Sequence, residues 1–118
     1  MTPTLGRIVL YTLNDSDVQQ IDRRRTTGAA IAERIAYDSG DPMMKAWPAG
    51  AQAHMGNSVT PGQQVPAIIT AVWPTSVNLR CILDGTDEFW ATSRLCYTPE
   101  GDHPTAAPMG MWQWPLRS

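Results

Sequence analysis

At 118 residues the sequence is the size of one domain, expected to span 1–118 around a single core. A formal net charge of −2 excludes the broad basic field of non-specific duplex binders, and no apolar run approaches the ~20 residues of a membrane-spanning helix. Ten Pro and nine Gly imply many turns and short elements.

The first residues, Met1 to Leu5, carry no basic run, so no signal peptide is expected. Gly6 to Leu13 (GRIVLYTL) is rich in β-branched and aromatic residues and reads as a strand. Asn14-Asp15-Ser16-Asp17 stops it with four residues of the helix-capping type. A helix is expected from Asp17, with Val18 and Ile21 on one face, ending near Arg25 to Thr27 before Gly28. Ala29 to Tyr37 reads as a second helical segment, striped by Ile31 and Ile35. Met43 to Pro61 is expected to be mostly loop, tied down by Trp47.

The remainder alternates as an antiparallel sheet does. Val65 to Trp73 is a strand with Pro66 near its start. Val77 to Leu83 places Val77, Leu79, Cys81 and Leu83 on one face and Asn78, Arg80 and Ile82 on the other. Asp84 to Asp87 is a hairpin turn, Glu88 to Tyr97 the returning strand, and Met111 to Trp114 a short last strand. The expected fold is α+β: a small antiparallel sheet or barrel with helices inserted between the first strand and the rest.

Arg23-Arg24-Arg25 stands out in an acidic chain that has one lysine, Lys45. A guanidinium offers a planar fork that matches phosphate or carboxylate oxygens in pairs. Cations at a helix C-terminus also complement its dipole with no ligand at all. Successive helical residues lie ~100° apart, so the three cannot all face one ligand from within one chain. In a ring of subunits, one arginine per copy would converge on the axis. Thr26, Thr27 and the Gly28 amide would add donors of the phosphate-binding type.

Phe89, Trp90, Trp112 and Trp114 fall in the C-terminal half. Core building accounts for most of them, but Phe89 and Trp90 are adjacent in a strand and must face opposite ways. An exposed Trp beside Asn78, Arg80, Arg94 or Arg117 would stack on a purine and hold its phosphates. Catalytic patterns are weak. His54 and His103 have no metal-ligand spacing, and no nucleophile elbow or phosphate-binding glycine loop is present. A non-enzymatic protein without cofactor is the expectation. Cys81 and Cys96 lie in strands expected to pair; they are read as reduced core residues of a cytosolic protein, though a cross-hairpin pairing would also be possible.

The order GRIVLYTL, IDRRRTTGAAIAERI, GAQAHMGN, VPAIITAVW, VNLRCILDGTDEFWATS and a terminal WQWP-L-R resembles the first-described type of Thoeris anti-defence protein, a family of bacteriophage nucleotide sponges. The resemblance runs over nearly the whole chain. It implies a small antiparallel sheet with an N-terminal helical part and dimers that associate into hexamers. It also implies sequestration, without catalysis, of glycocyclic ADP-ribose isomers between paired subunits and of CBASS cyclic trinucleotides where three subunits meet. The location implied is the cytoplasm of the infected bacterial host. The trinucleotide role would fall on Arg24 or Arg25 of the Arg23 to Gly28 segment, with Thr26 and Thr27; Arg117 would belong to the ADP-ribose pocket, and Phe89 and Trp90 match the aromatic strand. The chain departs from the family pattern at Asp38 to Lys45, which looks like an insertion, and at Cys81-Ile82, where an aromatic is expected. A phage structural or adaptor module on a small barrel is the alternative from a different class.

Overall fold

The structure, a computed structural model, describes residues 2–25, 55–99 and 106–115. The chain runs β1 (Ile8–Thr12), α1 (Asp15–Arg24), β2 (Gln64–Val72), β3 (Val77–Ile82), β4 (Glu88–Cys96) and β5 (Met111–Gln113). The strands close into a barrel in the order β1-β2-β3-β4-β5. Neighbours are antiparallel from β1 to β4, and β5 returns antiparallel to β1. Closure is made by a parallel pairing of Leu95 and Cys96 with Met111 and Trp112, which the sequence pattern did not indicate. The expected α+β barrel with a helix inserted after the first strand is therefore the observed fold. The second helical segment, Ala29 to Tyr37, and most of the Met43 to Pro61 loop lie outside the described residues.

Strand alternation sorts the residues as expected. Val77, Leu79, Cys81 and Leu83 are buried, whereas Asn78 is half-buried and Arg80 and Ile82 are exposed. The core joins these to Val9, Tyr11, Ile69, Phe89, Ala91 and Trp112, and Val18 and Ile21 lay the apolar face of α1 against it. Trp112 meets Trp114 edge to face, with ring centroids 5.3 Å apart, so both serve the core side.

The helix starts two residues earlier than expected because Asn14 caps it. The Asn14 side chain accepts from the Asp17 amide at 2.7 Å, and the Asp17 carboxylate accepts from the Asn14 amide at 3.0 Å, a reciprocal capping box. Asp17 does more than cap. It is fully buried, accepts from the Tyr11 hydroxyl and pairs with Arg94 at 2.9 Å. Arg94 also lies over the Tyr11 ring, 5.6 Å from its centroid. One carboxylate thus ties β1, α1 and β4 together.

The cysteines correct one expectation. Cys81 is a buried residue opposite Phe89, but Cys96 is exposed at the far end of β4, and both thiols are free. Burial, reinforced by the nearby Asp17 charge, pushes the Cys81 thiol up to about 12; burial and the hydrogen bond to Asp17 push the Tyr11 hydroxyl well above its ordinary range. A thiol reagent should therefore label Cys96 quickly and Cys81 only on unfolding; equally fast labelling of both would contradict the packing. Both raised groups are neutral in the fold. The Cys81 contribution to stability is complete below the unfolded thiol value of 9.0 and is lost as pH rises from there toward 12, because the unfolded chain releases that proton first; the Tyr11 contribution is lost in the same direction from 10.0 upward.

Candidate functional site

Two clusters gather the residues singled out in the sequence. The first forms where α1 ends. Arg24 is the last residue of the helix, and Arg25 follows it in extended backbone (φ −70°, ψ 138°). Leaving the helix frees Arg25 from the ~100° rule, so two arginines do converge, and they converge on a carboxylate of their own chain. Asp87, whose side chain is buried, pairs with Arg24 at 3.0 Å and with Arg25 at 3.0 Å. Arg24 also donates to the Glu88 carbonyl and lies over the Phe89 ring, 5.8 Å from its centroid. Arg25 donates to the Asn57 carbonyl at 2.9 Å. Arg23 is exposed.

Three distant stretches meet at this knot: the arginines, Gly56-Asn57, and the β3–β4 turn. The Asn57 amide donates to the Asp84 carbonyl at 2.9 Å, and the Thr86 amide to the Met55 carbonyl at 2.7 Å. Gly56 and Gly85 pair across the contact. A Cβ on Gly85 would stand 2.3 Å from Gly56 Cα, so the two backbones approach closer than any side chain allows. Among the described residues, two guanidiniums thus share one carboxylate. Arg24 Nε and Arg25 Nη2 are buried with no hydrogen-bond partner, an arrangement native proteins keep rare.

The second cluster is on the outer face of β2, β3 and β4. Alternation sends Phe89 inward, 5 % exposed, and Trp90 outward, 64 % exposed. Trp90 sits directly across from Arg80. With Thr70, Ala71 and Asn78 they line an open recess of about 520 Å³. Thr70 Oγ1 donates to the Asn78 carbonyl at 3.3 Å. Asn78 Oδ1 accepts from Trp73 Nε1 at 3.0 Å and from the Ser93 amide at 2.9 Å, so its acceptor is committed. Arg80 pairs with Glu88 at 2.9 Å, both side chains being about half exposed.

Glu88 links the clusters: its carbonyl receives Arg24, its amide donates to Asp87, and its carboxylate holds Arg80. Sequence reasoning brought Asn78, Arg80 and Trp90 into one neighbourhood but passed over Asp87, Glu88 and Trp73. The signal for Asp87 was present in principle, since three arginines in an acidic chain call for a buried counter-charge. Phe89 belongs to the core and cannot offer a ring face outward. Thr26, Thr27 and Arg117 lie outside the described residues, as do Lys45, His54 and His103. Among the described residues no group of three or more His, Cys, Asp or Glu is placed to hold a metal ion. Comparison with protein-family models, with curated proteins and with solved structures finds no match for this chain.

Proposed function

We propose that this protein acts by binding rather than by turnover, as a small β-barrel that serves a bacteriophage as a structural or adaptor module. The observation that carries this reading is the barrel itself, which turns Trp90, Ile82, Trp73 and Val72 outward while its buried acids are engaged in holding strands and helix together. Exposed aromatic residues on a rigid sheet are the usual anchors of a docking face. The phage setting rests on the family resemblance alone. Mass spectra of purified virions test the reading: a structural module is found in the particles at fixed copy number, and its confinement to infected cells would overturn it.

A second reading is favoured by the Trp90 recess and by the two buried guanidinium nitrogens, Arg24 Nε and Arg25 Nη2, that have no hydrogen-bond partner. Here the protein is an anti-defence sponge that sequesters glycocyclic ADP-ribose isomers and cyclic trinucleotides in the cytoplasm of the infected host. An indole and a guanidinium lining one recess suit a nucleotide, with the base stacked on Trp90 and phosphate on Arg80. Such a sponge works by mass action, so affinity and slow release decide its success. Bound signal should come off intact when the protein is heated; recovery of a hydrolysed product would point to an enzyme instead. Native mass spectrometry of the same mixture reports whether copies of the chain form the dimers and hexamers this reading requires.

Trp90→Ala separates the two clusters. The indole is exposed, so stability should change by less than about 0.5 kcal/mol. Stacking is worth roughly 1–3 kcal/mol per base, so affinity for a nucleotide held in the recess should fall about 5- to 150-fold. Unchanged affinity by calorimetry would remove the recess from the binding site.

A further inference from the structure

We propose that the open end of the barrel, beside the β2–β3 turn, binds an uncharged small molecule of one ring that carries a hydroxyl. Two irregularities of register create the site. β2 and β3 pair Ile69 with Leu79 and Val72 with Val77, with a shift between Ile69 and Ala71. β3 and β4 pair Leu79 with Ala91 and Val77 with Arg94, with a shift between Val77 and Leu79. Such shifts change which residues of a strand face inward. Residues directly opposite each other share a face of the sheet. Val72 therefore joins the interior column beside the buried Val77, and Cys96 joins it beside the buried Trp112. Yet Val72 is 41 % exposed, and Cys96 is exposed as well. The last interior layer of the barrel thus lacks a cap. A recess of about 240 Å³ opens there, lined by Val72, Val77, Cys96 and Trp112 among others. The mouth of a β-barrel is a favoured place for a small ligand.

The lining selects the ligand. Among the described residues no charged side chain borders the recess. Partial burial raises the Cys96 thiol above its ordinary value, so it too stays neutral. An anion would lose hydration here and meet no counter-charge. Size narrows the choice further. An apolar cavity of ~150 Å³ takes benzene, and drug-sized ligands need ~300–1,000 Å³, so this recess suits one substituted ring. Thr2, Thr75 and Ser76 also line it and bring hydroxyls that can meet a hydroxyl on the ring. A partner's peptide strand would look instead for free donors on the rim, and those of Trp73 are taken. Its amide donates to the Ser76 carbonyl at 2.8 Å, and its indole N–H to Asn78 Oδ1 at 3.0 Å. The second bond holds the half-exposed indole in place as a wall of the recess.

The test uses para-cresol, which is uncharged at neutral pH, and para-toluate, which carries a carboxylate on the same ring. Cys96 reports occupancy through its rate of alkylation by iodoacetamide, read by mass spectrometry. Saturating para-cresol should slow that rate about threefold or more, and para-toluate should leave it unchanged. Val72→Phe fills the mouth from inside, so its alkylation should no longer respond to para-cresol while the melting transition stays cooperative. Trp73→Ala removes an exposed wall, and half-protection should then need about fivefold more para-cresol. Protection by both compounds alike, or by neither, would overturn the site. So would undiminished protection in both variants. Protection by N-acetyltyrosinamide at about tenfold lower concentration than para-cresol would also overturn it, and would put a partner's side chain in place of the small molecule.

Discussion

Asp17→Ala should destabilise the protein by about 3–5 kcal/mol, the cost of leaving a buried charge without its partner. The carboxylate is fully buried and receives Arg94, the Tyr11 hydroxyl and the Asn14 amide. Its loss strands Arg94 beneath α1 and leaves the Tyr11 hydroxyl and the Asn14 amide to find other acceptors, while the Asn14 side chain still caps the helix through the backbone amide of residue 17. The urea midpoint should fall accordingly, and the melting temperature by on the order of 10 °C or more. Asp17→Asn keeps the shape but removes the charge, so it should recover an acceptor for the Asn14 amide and little of the ion pair. A loss below about 1 kcal/mol for Asp17→Ala would mean that water reaches Arg94 in the variant and that the three elements are held by apolar contact alone.

Asp87→Ala should cost a similar amount, about 3–5 kcal/mol, and more than either arginine substitution beside it. Removing the carboxylate leaves two guanidiniums facing each other. Removing one arginine leaves the other paired with Asp87, so Arg24→Ala and Arg25→Ala should each lose only about 1–2 kcal/mol. Adding Arg25→Ala to Asp87→Ala should restore part of the loss, a non-additivity that urea titration of the four variants measures. Equal losses in the three single variants would mean that the arginines act through their stems and not through the shared acid. The comparison also governs any binding experiment on these arginines. A variant that fails to hold a cyclic trinucleotide is informative only once its stability is known to exceed that of Asp87→Ala.

Local features of the chain were readable because local rules produce them. The alternation through Val77 to Leu83 follows from a period of two, and the capping residues after Leu13 mark the helix start within two positions. Asp17 was harder. An acid in the first turn of a helix reads as a solvated partner of the dipole, and only the fold shows that it is sealed beneath Arg94, 77 residues away. The partner of the arginines was hidden for the same reason. Their convergence depends on Arg25 leaving the helix and on Asp87, 62 residues further along, arriving beneath it. The parallel closure by β5 has no local signature, since its three residues carry no pattern longer than one alternation. The recess fared better because Arg80 and Trp90 lie across a single hairpin, where register follows from the turn.

The knot at Arg24 also bears on how copies of this chain can meet. β5 covers only the last two residues of β4, Leu95 and Cys96. The Asp87 carbonyl points toward β3, where it accepts from the Leu83 amide, so the Glu88 carbonyl points to the side that β5 leaves uncovered. Arg24 occupies that carbonyl, and Trp112 Nε1 occupies the Arg94 carbonyl near the other end. Among the described residues, side chains thus occupy carbonyls at both ends of this edge, a known protection against strand addition between molecules. At these two carbonyls a second copy of the chain finds no free acceptor on which to add a strand.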